Sequence, residues 1–321
     1  MSEGVELLVG LELSFNDEQV ALQQSVAGIC EQEGLGPLYA VDDPLPHGFW
    51  MRIAEIGVLG LGTVEGGGGV LEIAAAMETL GSFGAPGPLV GTFTAGALLD
   101  ADQFRGIASG EELVSVGSGS VFPWAPRAAH FIELDYDEAH LVEPGEIEEL
   151  ETTAGEPWGR VRPTRIESLG SGVAASARAE VAIAAYLVGA ADRLLSDSAE
   201  YACDRKQFGK QIATFQAVSH PLAQLSTRVT ASRILCRGAA QRLQDDASHA
   251  ASAASTARVS AVASANEMAY LAHQILGAMG FTLEGPVAHL SHRIRQFGLL
   301  PPLLADSRER VLDGVPALSR R

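Results

Sequence analysis

The feature that most constrains this chain is a pair of long helical patterns joined by one short basic turn. Ala174 to Asp204 is alanine-rich with apolar residues at helical spacing, and Phe215 to Leu243 reads the same way. Helices near thirty residues form rods about 45 Å long. A short connection favours an antiparallel pair. Two further helical patterns, 254–276 and 282–299, extend it to a four-helix bundle. Rods of this length bury only part of their faces within one chain, so oligomerisation is expected.

The turn between the first two rods sits in Tyr201-Ala-Cys-Asp-Arg-Lys-Gln-Phe-Gly-Lys-Gln-Ile-Ala-Thr-Phe-Gln216. Arg205, Lys206 and Lys210 cluster here in a chain whose net charge is −18. Phe208 offers an aromatic anchor, and Gly209 lets the backbone reverse. Thr214 is the expected N-cap of the next helix, whose free N–H groups favour an anion nearby. From the residues alone two readings stand: a solvated basic corner or an anion site.

Residues 1–110 read as a helical domain. Asn16 or Asp17 caps a helix running to Gln32, and Leu45 to Ile56 forms a second with Phe49, Trp50 and Ile53 on one face. Gly66 to Gly69 precedes a third, Val70 to Leu80, and Phe93 to Leu99 is a fourth. The glycine run follows no strand and carries no Lys-Ser/Thr pair, so it is not expected to cradle a phosphate. Residues 111–171 read as a small β domain with strands at 113–116, 130–134 and 139–142. The acidic stretch Glu143 to Glu156 reads as a surface excursion. Residues 172–321 form the bundle.

Composition excludes several classes. Strong negative charge argues against non-specific nucleic-acid binding. Cys30, Cys203 and Cys236 are too few and too scattered for a disulfide framework or a zinc pattern, and they suit a reducing compartment. The chain has no uninterrupted run of eighteen apolar residues. It starts without a basic segment leading into an apolar one. A cytoplasmic, membrane-free location is therefore expected. His273, His289 and His292 lack an acid or thiol at ligand spacing and read as polar-face residues. Arg293 and Arg295 have two possible partners, Glu284 or another chain. Cys203 lies near Arg205, but no His/Asn pattern for a nucleophilic cysteine follows.

The string Arg-Lys-Gln-Phe-Gly-Lys-x-Ile-x-x-Phe-Gln, with His220 and Leu222-Ala223 after it, closely resembles the C-terminal domain of acyl-CoA dehydrogenases. The resemblance implies that Arg205, Gln207, Phe208 and Gln216 touch the pyrophosphate and adenosine half of FAD, reaching across a subunit interface. A guanidinium, amides and an aromatic ring suit that task. A second string, His273 to Pro286, is similar to the family's Gln-x-x-Gly-Gly-x-Gly loop. It carries over Gln274 and Gly277 as FAD contacts, with Ala278 in place of the second glycine. The plain alternative is that Gly277 and Gly280 end one helix and Thr282 starts the next. Helices, β domain and bundle also follow the family's order, so a mainly α, acyl-CoA dehydrogenase-like fold is expected.

The departures are equally specific. The β segment is short, and the family's Thr-Glu-Pro, Gly-Ser-Asp and Trp-Ile-Thr/Ser strings for the flavin ring are missing; Trp124 and Trp158 stand in other contexts. The family's catalytic Glu falls at Pro301. Its other known location falls at Ala179, with Glu180 next to it but turned 100° around the helix. Glu180 is a weak candidate base; a solvated helix position is its plain alternative. The resemblance therefore implies a short, degenerate subunit of an α2β2 heterotetrameric acyl-CoA dehydrogenase. A companion subunit supplies the base and ring contacts. The substrate implied is a steroid side-chain CoA or another bulky acyl-CoA, and electron-transfer flavoprotein is the family's usual acceptor. Two alternatives stand beside it: a self-sufficient homo-oligomer with Glu180 as base, and a flavin-free scaffold or acyl-CoA-binding protein.

Overall fold

A computed structural model describes residues 14–36, 44–283 and 285–313. The N-terminal residues read for a leader and the expected ion-pair partner Glu284 lie outside them.

The N-terminal domain begins with α1 (Asp17–Gln32). Asn16 Oδ1 accepts the Gln19 N–H at 2.9 Å, and Gln19 Oε1 accepts the Asn16 N–H at 3.0 Å, a reciprocal cap. Helix α2 (His47–Glu55) buries Phe49, Trp50 and Ile53 as their spacing predicts. After it come α3 (Val70–Ser82), α4 (Leu89–Ala95) and α5 (Ala101–Ala108). Helix α4 starts earlier than the expected 93–99. Helix α5 is an addition, although Asp100 and Gln103 form the same reciprocal cap that marks α1. The glycine run serves the packing of its own loop. A Cβ at Gly66 would sit 2.0 Å from the Gly60 carbonyl, so glycine permits a close backbone crossing. The amides of Gly69 and Leu71 are bonded to Glu72 and Gln244.

The β domain is larger than its sequence suggests. Strands β1 (Val114–Gly117), β3 (His130–Asp135), β4 (Glu138–Glu143) and β7 (Thr164–Ser171) form one sheet in the order β1-β3-β4-β7, with β1 and β3 parallel. Strands β2 (Val121–Pro123), β5 (Glu148–Leu150) and β6 (Trp158–Arg160) form a second, ordered β2-β6-β5. The predicted strands correspond to β1, β3 and β4. The stretch Glu143 to Glu156 is mostly exposed, as a surface excursion should be, but it contributes β5 and ends in the buried Glu156.

The C-terminal bundle comprises α6 (Val173–Asp204), α7 (Gln216–Gln244), α8 (Ala250–Leu276), the single turn α9 (Ala278–Phe281), α10 (Pro286–Gly298) and α11 (Leu304–Asp313). Helix α6 is the central rod and packs on α3, α4, α7, α8 and α10. Its length and apolarity alone match a membrane span, but most of that stretch is buried inside the chain. Close packing against α3 depends on two glycines. A Cβ at Gly189 would stand 1.8 Å from the Glu78 carbonyl oxygen, and one at Gly81 2.0 Å from that of Tyr186. Tyr186 of α6 stacks face to face on Phe297 of α10, ring centroids 3.6 Å apart.

Candidate functional site

The basic turn is a β-hairpin standing at the end of α6. Arg205 leaves the helix in extended geometry, and β8 (Lys206–Gln207) pairs antiparallel with β9 (Lys210–Gln211). The loop is Phe208-Gly209, with φ of +52° and +79°. Two consecutive positive φ angles define a type I′ turn, which suits the twist of a tight hairpin. Thr214 does not cap the next helix. Its hydroxyl donates to the Gln211 carbonyl at 2.7 Å, and Phe215 takes the N-cap position without a side-chain bond.

The hairpin presents its polar groups outward. Phe208 is 92% exposed and meets Phe215 edge-on at 6.2 Å, while Lys210 Nζ lies 4.3 Å above the Phe215 ring. Arg205, Lys206, Gln207 and Gln216 are exposed. Among the described residues their side chains form no hydrogen bond or ion pair. Outward donors with no use inside the chain are groups that a ligand or partner can take up.

The second string closes α8. Gly277 has φ +59° and ψ −126°, a conformation that favours glycine. Gln274 and Ala278 are exposed beside it. Gly280 lies against His273, whose ring stacks on Phe281 at 4.9 Å. An open groove of about 590 Å³ lies at the ends of α6 and α8, lined on the α6 side by Arg193, Asp197, Glu200, Tyr201 and Asp204 and on the other by Leu276 and Met279. A guanidinium, free amides and an exposed ring are groups of the kind that bind a diphosphate-bearing nucleotide.

The positions implied for catalysis look different. Glu180 is neither solvated nor open to a cleft; it is fully buried. Its carboxyl accepts the Ser255 hydroxyl at 2.8 Å and the Tyr136 hydroxyl at 3.2 Å. Burial pushes the carboxyl above its ordinary range, against the opposing pull of Ser307 and Arg258. Arg258, also buried, donates to the carbonyls of Leu300 at 2.6 Å and of Pro302. It thereby clamps the loop that carries Pro301. The cavity at Pro301 holds about 20 Å³, room for about one water.

A buried carboxylate lines that cavity. Glu156 accepts the Gly87 N–H at 3.2 Å, the Arg293 guanidinium and the Gln296 amide. Arg293 thus pairs with Glu156, and Arg295 lies over the Tyr270 ring. Sequence spacing carries no signal for this cluster, because Glu156 and Arg293 are 137 residues apart. His273 contacts Ser291, and His289 the Leu283 carbonyl. Among the described residues no group of three or more His, Cys, Asp or Glu is arranged for a metal.

Comparisons with known proteins agree with this layout. Residues 175–299 match the acyl-CoA dehydrogenase C-terminal domain. The chain is 28% identical to the acyl-CoA dehydrogenase IpdE2 of Mycobacterium tuberculosis over 297 residues, covering 84% of this chain and 88% of that protein. Other curated relatives, 32–36% identical, are matched over only 27–30% of their length. Among solved structures, the ChsE4–ChsE5 complex from M. tuberculosis superposes with a TM-score of 0.80 at 20% identity, covering 94% of this chain and 97% of that one. The Tcur3481–Tcur3483 steroid acyl-CoA dehydrogenase, as its G363A variant, does so at 0.78 and 22%, covering 92% and 97%. Residues 175–299 thus carry an acyl-CoA dehydrogenase C-terminal domain, and the chain as a whole has the acyl-CoA dehydrogenase fold and is similar over most of its length to one such enzyme.

Proposed function

We propose that this chain is one subunit of a heteromeric, FAD-dependent acyl-CoA dehydrogenase that introduces an α,β double bond into an acyl-CoA thioester. Arg205, Gln207, Phe208 and Gln216 of the hairpin, with Gln274 and Gly277, hold the pyrophosphate and adenosine half of FAD at the interface with a companion subunit. FAD supplies the hydride acceptor when bound. The companion supplies the catalytic carboxylate and the contacts to the flavin ring. One observation carries this reading: the nucleotide-type donors face outward unused, while the cavity beside Pro301 is reduced to about 20 Å³. Glu180, buried and bonded to Ser255 and Tyr136, is poorly placed to serve as base.

The substrate we propose is a steroid side-chain CoA and the assembly an α2β2 heterotetramer; a two-component complex and a steroid acyl-CoA dehydrogenase among the structural neighbours support this reading. Electron-transfer flavoprotein is the proposed electron acceptor. The test is co-expression with a candidate companion acyl-CoA dehydrogenase subunit, followed by native mass spectrometry that counts chains and flavins. The expected result is FAD only in the mixed complex. FAD bound by this chain alone, with acyl-CoA oxidation, overturns the proposal. A mixed complex without flavin overturns it as well.

A further inference from the structure

A cavity of about 500 Å³ lies between the glycine loop after α2, the start of α5 and the first turns of α6. That volume is in the range of small-molecule sites. Arg178 of α6 lines it. One guanidinium nitrogen donates to the Gly62 carbonyl at 3.1 Å. Among the described residues Arg178 forms no ion pair. A partly buried cation without a counter-charge is costly in any protein, and more conspicuous in a chain of net charge −18. Burial alone pulls its guanidinium below the ordinary value, with no acid acting against it.

The rest of the cavity indicates what kind of anion fits. Phe104 and Leu99 give it an apolar wall. Glu65, Asp100 and Arg105 also line it, and Arg105 is paired with Asp102 at 2.6 Å. Asp100 is occupied in capping α5, where its Oδ1 accepts the Gln103 N–H at 2.9 Å. Two lining carboxylates repel a multiply charged phosphate more than a singly charged head. A guanidinium with free N–H groups pairs well with a planar carboxylate.

We propose that this cavity is a binding site for a singly charged organic carboxylate with an apolar tail, its head on Arg178 and its tail against Leu99 and Phe104. The site lies apart from the hairpin and does not depend on the flavin reading.

The experiment titrates the full chain with butyrate, hexanoate, octanoate and inorganic phosphate, following chemical-shift changes by NMR. Octanoate is expected to bind, with affinity rising along the carboxylate series as methylenes reach the apolar wall, and phosphate not to bind. Arg178→Gln, whose amide can still donate to Gly62, is expected to weaken octanoate at least about tenfold. Arg178→Lys falls between. Equal octanoate binding in Arg178→Gln, affinity independent of tail length, or phosphate binding as tightly as octanoate each overturns the proposal. The length series uses the unaltered chain, so it stands if a variant fails to fold. The flavin count of the companion complex is a separate readout, expected to be unchanged in Arg178→Gln.

Discussion

Arg293 of α10 and Glu156, on the connection between β5 and β6, form an ion pair buried on both sides, with side chains 4% and 1% exposed. It pins the β domain to the bundle, and the Gly87 N–H adds the N-terminal domain to the same carboxylate. Removing one partner strands a buried charge. Glu156→Ala and Arg293→Ala are each expected to cost about 3–5 kcal/mol in urea unfolding. The paired replacement Glu156→Leu with Arg293→Met should cost clearly less than the sum of the single changes, because neither charge is then left alone. Additive losses would mean that the two side chains act independently.

Glu180 gives a pH dependence with a definite sign. Its folded-state carboxyl is raised, chiefly by burial, so the folded chain binds more protons than the unfolded chain over the window between the two values. The contribution is full below the ordinary carboxylate range and is lost as pH rises through the folded value. Glu180→Gln mimics the protonated form. Its stability relative to the unaltered chain should therefore improve in urea melts as pH rises above the ordinary carboxylate range. A variant that falls further behind with rising pH would show an ionised Glu180 held by Arg258. Under the proposed function, the same substitution leaves turnover of the companion complex nearly intact.

The bundle was legible because each rod carries apolar residues at helical spacing over many turns: the ends of α6, α7 and α8 fall within a few residues of the pattern. Strand β7 was not, because nearly all of Thr164–Ser171 is exposed and no alternation marks its faces. Strands β2, β5 and β6 are three residues each, too short for any period. The hairpin residues could be read from one contiguous string. The Glu156 cluster could not, since it is assembled by tertiary folding from distant segments. Glu180 shows the opposite difficulty: the helical repeat gives its angle on α6, but only Tyr136, Ser255 and Arg258 reveal that this angle points into a closed polar core.

Arg205 is the most direct test of nucleotide contact. It has no side-chain partner within the described residues, so Arg205→Ala should leave the chain's own unfolding midpoint unchanged. A charge-assisted bond to a diphosphate is worth roughly 1.5–3 kcal/mol. Flavin retention in the co-expressed complex should then fall about ten- to a hundredfold, read from the absorbance of bound flavin after dilution. Full retention would mean that Arg205 is only a solvated corner.

Phe208 separates a recognition role from a folding role, because the two call for opposite changes. It adopts φ +52° at the first loop position of a type I′ turn, where asparagine is favoured and a bulky side chain is strained. Its ring is almost wholly exposed and touches Phe215 only by an edge, so the chain gains little from it in return. Phe208→Asn is therefore expected to stabilise the isolated chain by up to about 1 kcal/mol in urea unfolding. Under the proposed function the same change removes an aromatic contact to the cofactor and the companion, and should lower both flavin content and complex yield. A variant more stable and equally rich in flavin would reduce the ring to a turn filler. A variant that is less stable on its own would show that the Phe215 contact matters more to the fold than the strained backbone does.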